Sequence, residues 1–291
     1  MTYTQLKLFV KIAQTGSFTK AGIELNMTQP AVSRAISSLE DELGIVLLIR
    51  DKGKGIMLTD VGKQILARCQ DILHNFEKIE QIAARERGLE VGTIRVGAFP
   101  VASARFLPRI VKHITDRHPG IVFELYEGTI DELKTWLHDR KIDVGFILPP
   151  ADEWQAIPLY REKMYVVVPE EHPFAKLPAV PIRMLGGEPL VACKAGFEPP
   201  ILDMFERVHT EPNIRYVVHN VNTAIGMAQE GLGLPVLSEL SVQALPPGIV
   251  KRELSPDSYR DIVIALPSLE EASHAVKLFV DTAIHLFGDQ A

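Results

Sequence analysis

The hydrophobic period of this chain changes once, near Gly92, and that change limits what the chain can build. From Gln5 to about Glu86 apolar residues recur three or four positions apart, interrupted only around Val46 to Leu58. Beyond Gly92, short apolar runs such as Thr93-Ile94-Arg95-Val96-Gly97 alternate with amphipathic helical segments. The first pattern belongs to packed helices and the second to a sheet flanked by helices. At 291 residues the chain also exceeds the usual size of a single core, so two or three compact units are expected.

In the first part, Leu6, Phe9, Val10 and Ala13 form one helical face that Gly16 ends. Ser17 can cap a second helix burying Phe18, Ala21, Ile23 and Leu25, and Asn26-Met27 supplies a turn. A third helix starts at Thr28, tolerates Pro30 in its first turn, and carries Val32, Ile36, Leu39 and Leu43 as one stripe up to Gly44. Two helices joined by so tight a turn, with short polar residues on the outer edge of the second, are what a helix-turn-helix needs to enter the major groove. That outer edge is Gln29, Pro30, Ser33, Arg34 and Ser37, with Ser17, Lys20 and Thr28 beside it. Gln29 can read adenine, Arg34 can read guanine or hold a phosphate, and the serines can take either contact. Ile45 to Leu58 reads as two short strands around a basic, glycine-rich turn, a wing whose Arg50, Lys52 and Lys54 suit phosphates or the minor groove.

Thr59 can cap a long helix reaching about Glu86. Its apolar positions fit heptads, with Cys69, Phe76 and Ala83 in one seam position and Leu58, Ile65, Ile72 and Ile79 in the other. Ile65, Cys69, Ile72, Phe76 and Ile79 are therefore the expected dimerisation residues; the alternative is an amphipathic helix folded onto its own domain. Gly88 and Gly92 mark a hinge. After it come strands at 93–97, 122–126, 143–147, 164–168, 190–192, 215–218, 234–237 and 262–266. Helices are expected over 103–118, 129–139, 201–208, 223–230 and 269–286.

Charge and composition narrow the function. The chain carries a net −6, but its first 65 residues hold eight bases against six acids, +2, leaving −8 for the rest. The only expected nucleic-acid face is thus N-terminal. Two distant cysteines, Cys69 and Cys193, provide neither a disulfide framework nor a CxxC site. The first residues lack a signal peptide's basic and apolar regions, and no apolar run approaches a membrane span. A cytoplasmic location is expected. HExxH, GxSxG, GxxxxGK[ST] and GxGxxG are all missing, and the nine histidines are scattered. No catalytic residue, metal site or cofactor is expected.

Phe18-Thr19-Lys20-Ala21-Gly22 and the run from Asn26-Met27-Thr28-Gln29-Pro30 through Ser37-Ser38-Leu39-Glu40, followed by Leu43-Gly44, Arg50 and Leu58-Thr59, resemble the signature of the LysR-type transcriptional regulators. The resemblance implies a multidomain α/β protein: a mostly helical winged helix-turn-helix at 1–59, a linker helix and hinge at 60–90, and an effector domain at 91–291 similar to periplasmic binding proteins. Its two α/β subdomains would be 91–160 with 266–291, and 161–265, the chain crossing near Arg161 and returning near Asp261. By position, the family's ligand cleft falls on Pro100, Val101, Ala102, Ser103, Gly128, Thr129, Phe146 and Leu148. The second subdomain adds Gly196, Phe197, Glu198, Asn220, Asn222 and Thr223. The apolar members of that set suggest a partly apolar carboxylate as effector. The implied partners are operator DNA with paired half-sites, further copies of the chain in a homodimer or homotetramer, and RNA polymerase if the protein activates. A solute-binding protein or small-molecule enzyme, dimerised by its N-terminal helices and binding no DNA, is the rival reading.

Overall fold

The computed structural model describes residues 1–51, 55–86, 91–194 and 198–288. Two compact units emerge, Met1–Gly92 with His138–Lys141, and Thr93–Leu137 with Ile142–Ala291.

The first unit begins with α1 (Tyr3–Thr15), α2 (Phe18–Glu24) and α3 (Gln29–Leu43). Each boundary has a local cause. Thr2 and Gln5 form a reciprocal capping box before α1, and Gly16 ends it in the left-handed region at φ 62°. The Ser17 hydroxyl accepts the Lys20 N–H at 3.3 Å, opening α2. Asn26, at φ 54°, turns the chain toward α3. Val32, Ile36 and Leu39 are buried and pack with Phe9, Ile12, Phe18 and Ala21 in one core. The helices approach closely at Gly22, where a Cβ would lie 2.6 Å from the Met27 carbonyl oxygen.

The wing follows as an antiparallel hairpin, β1 (Leu48–Asp51) and β2 (Gly55–Leu58), pairing Leu48 with Leu58 and Asp51 with Gly55. Glu40 of α3 ties it down: one carboxylate oxygen accepts the N–H groups of Leu47 and Leu48 at 2.7 and 3.1 Å. The long helix α4 (Asp60–Glu86) then starts against the same strand. Gly62 is needed there, since a Cβ would sit 2.3 Å from the Leu47 oxygen.

The structure corrects the heptad reading of α4 for its first half. Cys69 is 2% exposed in the core of its own domain, with Ile65 and Ile72 packed against that core. Cys69 therefore serves an intramolecular contact, and Ile65 and Ile72 are half-buried beside it. Phe76 and Ile79 remain 45% and 62% exposed, and Phe76 meets Tyr3 edge to face at 5.0 Å.

The second unit is a ten-stranded mixed sheet with flanking helices. Its elements are β3 (Val91–Ala98), α5 (Pro100–Thr115), β4 (Gly120–Glu127), α6 (Ile130–His138), β5 (Val144–Ile147), β6 (Gln155–Pro169), β7 (Ala179–Pro181), α7 (Ile182–Leu185) and β8 (Leu190–Cys193). There follow α8 (Glu198–Arg207), β9 (Ile214–Val218), α9 (Val221–Gln229), β10 (Leu234–Ser238), β11 (Ile249–Ser255), β12 (Tyr259–Leu266) and α10 (His274–Phe287). The strand order is β4-β3-β5-β12-β6-β10-β8-β9, with β11 and β7 attached beside β6. β3 and β5 run parallel, as do β8, β9 and β10, whereas β6 and β12 are antiparallel to their neighbours.

Two separate hydrophobic clusters make this unit bilobal. One holds α5, α10 and residues 262–266; the other holds the second half of β6 with β8, α8 and β10. Among the described residues only β6 and β12 cross between lobes, side by side, with Arg161 opposite Asp261. The first lobe takes Val263, Ile264 and Ala265, which pair with β5 and lie in its core, so the return crossing completes at Asp261 rather than at residue 265.

Two outcomes test this description. Alanine is favoured over glycine by about 1 kcal/mol inside a helix, yet overpacking costs about 1–3 kcal/mol and here meets an unyielding carbonyl; Gly22→Ala should therefore lower the urea midpoint of the N-terminal unit. Burial pushes the Cys69 thiol up to about 11, so at pH 8 it stays protonated. Iodoacetamide should spare it in the folded protein and label it in urea, and rapid labelling of the native chain would place Cys69 outside the core.

Candidate nucleic-acid face and ligand cleft

The helix α3 presents two opposed edges. Val32, Ile36 and Leu39 point inward, while Gln29, Pro30, Arg34 and Ser37 are exposed and Ser33 is half-buried. Thr28 and Lys20 are exposed beside them, and Ser17 is half-buried with its hydroxyl engaged as the α2 cap. The expected reading edge is thus one continuous surface held on a rigid element, and helix α3 and the wing are linked through Glu40. Lys52 and Lys54 lie outside the described residues, as does the side chain of Arg50, whose backbone belongs to β1.

The cleft residues of the second unit separate into three groups. Pro100 is exposed and Val101 packs against both lobes' cores, so the first turn of α5 stands where the lobes meet. Ser103 is half-buried inside α5, which begins three residues earlier than expected because Pro100 starts it. Thr129 is occupied by local bonding: its hydroxyl and N–H both donate to Glu132, at 3.0 and 2.8 Å, and its oxygen accepts the Glu132 N–H. Gly128 precedes this cap, half-buried beside Trp136. Asn220 caps α9 by accepting the Asn222 N–H at 2.8 Å, and Asn220, Asn222 and Thr223 are exposed.

Phe146 and Ala102 are corrected. Both are fully buried in the first lobe's core, where Phe146 stacks on Phe106 at 5.6 Å and meets Phe279 edge to face at 6.0 Å. A ring enclosed on both faces by aromatic partners offers a ligand no surface. Leu148, at the end of β5, does line a cavity. Gly196 and Phe197 lie outside the described residues, and so does the side chain of Glu198, the first residue of α8.

Sequence reasoning missed a buried polar cluster between these groups. Glu162 on β6 and Arg260 on β12 are direct cross-strand partners, 0% and 3% exposed. The Arg260 Nε and Nη2 donate to Glu162 Oε1 at 2.6 Å each. Glu162 Oε2 also accepts the Leu240 N–H at 3.1 Å, and Arg260 Nη2 donates to Ser238 Oγ at 3.0 Å. On its other side the guanidinium lies 5.3 Å from the Phe99 ring, one residue before α5. Burial lowers the pKa of Arg260, and the Glu162 carboxylate beside it opposes that shift. Both residues sit in charged stretches, Arg161-Glu162-Lys163 and Arg260-Asp261, that carry no sign of burial, and nothing local joined residues 98 positions apart.

A helix-turn-helix with an exposed polar edge on its second helix, a wing bonded to that helix, and a separate bilobal α/β unit hinged on two strands define a class: DNA-binding regulators that carry a ligand-binding domain. Residues 3–63 match the bacterial regulatory helix-turn-helix protein family of lysR type, and residues 87–287 match the LysR substrate binding domain. The chain belongs to the LysR family of transcriptional regulators. It is 51% identical over 290 residues to the HTH-type transcriptional regulator YvbU of Bacillus subtilis (strain 168), covering 99% of each chain. A full-length OxyR variant from Pseudomonas aeruginosa shares the fold with a TM-score of 0.77 at 24% identity, over 97% of each chain. CbnR in complex with its target DNA does so with a TM-score of 0.65 at 23% identity, covering 98% of this chain and 99% of that one. The reading as a solute-binding protein without DNA binding is set aside by these matches.

Removing one member of a buried ion pair strands the other charge and costs about 3–5 kcal/mol, whereas an apolar pair of similar volume is often neutral. Arg260→Met alone should sharply reduce stability in urea, and Glu162→Met with Arg260→Met should recover most of the loss. A single variant as stable as the parent would show that the pair is not buried.

Proposed function

We propose that this regulator recognises an operator of paired half-sites through α3 and the wing. It acts as a homodimer or homotetramer, and its DNA binding and bending respond to a small molecule held between the lobes of the second unit. The observation that carries the reading is the division of α3 into a buried edge and an exposed edge bearing Gln29, Arg34 and Ser37. In this reading residues 1–59 bind DNA, 60–90 link and dimerise, and 91–291 sense the effector. Phe76 and Ile79, exposed on the outer half of α4, supply the apolar surface for a partner helix. The CbnR complex with target DNA supports the nucleic-acid role.

The chemistry is binding alone, in the cytoplasm. Among the described residues no helix is long and apolar enough to cross a membrane. Pro100 and Val101 bring apolar surface to the effector site, in keeping with a partly apolar carboxylate. Lobe closure around it would reach DNA through the linker helices and change operator bend. RNA polymerase is a further partner if the outcome is activation.

Fluorescence anisotropy with the DNA upstream of the protein's own gene tests this. The full chain should bind with steep salt dependence. Arg34→Ala should weaken binding about 10- to 100-fold, the value of one good base or phosphate contact of about 1–3 kcal/mol, and leave the urea midpoint unchanged. Unaltered affinity in both Arg34→Ala and Gln29→Ala would move the reading edge away from α3.

A further inference from the structure

A cavity of about 130 Å³ opens beside the buried ion pair. One wall is a face of α8 bearing Asp203, Met204 and Arg207; opposite stand Leu148 and Pro149, at the end of β5 in the other lobe. The start of β12 closes it with Ser258, Arg260 and Asp261. Residues of both lobes and of the crossover strand therefore share one recess.

Charges of both signs meet there. Arg260 is compensated by Glu162 at 2.6 Å, and Asp261 faces Arg161 at 3.7 Å. Asp203 and Arg207 are exposed, and neither forms an ion pair with a described residue. This mixture decides which ligand chemistry fits. A simple carboxylate near Arg207 would also face Asp203 and Asp261, and like charges about 4 Å apart repel by about 4 kcal/mol at an effective dielectric of 20. A simple cation meets the same penalty from Arg207. An uncharged ligand would dehydrate ionic groups with nothing in return. A molecule carrying both charges a few ångströms apart satisfies both sets at once. Leu148, Pro149, Pro200 and Met204 line the recess with apolar groups, and its small volume of about 130 Å³ favours a compact ligand.

We propose that this recess binds a small aliphatic α-amino acid as its zwitterion, the ammonium toward Asp203 and Asp261 and the carboxylate toward Arg207 and the Ser258 hydroxyl. The inference rests on the reading of this unit as an effector domain and narrows its carboxylate to an amino-carboxylate. Because the walls come from both lobes, the bound amino acid favours their closed arrangement, and Arg260 in the floor links the recess directly to Glu162 on the other crossover strand.

Isothermal titration of the full chain with glycine, L-alanine, L-valine and L-leucine tests it, with isovalerate and isobutylamine as the partners of L-valine that lack the ammonium or the carboxylate. At least one amino acid should bind and raise the melting temperature, and if L-valine binds, each partner should bind at least tenfold more weakly. Asp203→Asn and Arg207→Gln, both on the exposed face of α8, should each weaken the amino acid at least tenfold and leave the unliganded melting temperature unchanged. Binding of none of the four, isovalerate binding as tightly as L-valine, or full affinity in both variants overturns the assignment. Anisotropy on the upstream DNA with the same preparations separates the two failures: DNA binding retained confines the failure to the amino acid, and DNA binding lost counts against the regulator reading itself.

Discussion

Glu162 and Arg260 face each other across the two strands that pass between the lobes, and the second unit is organised around them. A buried ion pair is an expensive contact, since both charges leave water, and it persists only with its remaining hydrogen-bonding capacity engaged. Here the engagement reaches in every direction: Leu240 and Ser238 from the second lobe, the Phe99 ring from the first, and the partner charge on the adjacent strand. An apolar pair could fill the same volume, but it would hold no fixed register between the lobes. The pair ties strand register, the start of α5 and the end of β10 to one point, beneath the recess where a ligand would sit.

In the first unit the comparable constraint is the crowding of α2, α3 and the chain around them. Gly22 and Gly62 mark places where backbone approaches backbone too closely for a methyl group. Such approach lets a short helix carry an entire polar edge outward while its apolar edge stays sealed. Glu40 extends the arrangement to the wing through two N–H groups, so α3 and the wing are bonded together. The helix α4 continues this logic and then departs from it. Its first half is a core helix of the DNA-binding domain, and its second half keeps Phe76 and Ile79 on the surface. One amphipathic helix is thus covered by its own domain along its first half and bears exposed apolar residues along its second.

Much of this was legible from local patterns. The stripe Val32, Ile36 and Leu39, the cap at Ser17, the start of α3 after Thr28, the Asn26 turn and the strand pair around the wing follow from residues within a few positions of each other, and so do β3, β5, β8, β10 and β12. The pattern failed where polar residues are buried by distant partners or apolar ones have an unforeseen neighbour. Arg161-Glu162-Lys163 hid the first half of β6, and Lys251-Arg252-Glu253 hid β11, although both stretches are paired strands. The family resemblance implies a cleft position for Phe146, but Phe106 and Phe279 pack against it in the core.

Sequence alone therefore determined most of the helices and the apolar strands, and which edge of α3 turns outward, because hydrophobic periodicity and capping act over one or two turns of chain. Tertiary structure decided that Cys69 faces its own domain, that Glu162 meets Arg260, and that α8, the end of β5 and the start of β12 share a recess. Those contacts join residues tens of positions apart, and their existence depends on which surfaces the assembled sheet brings into reach.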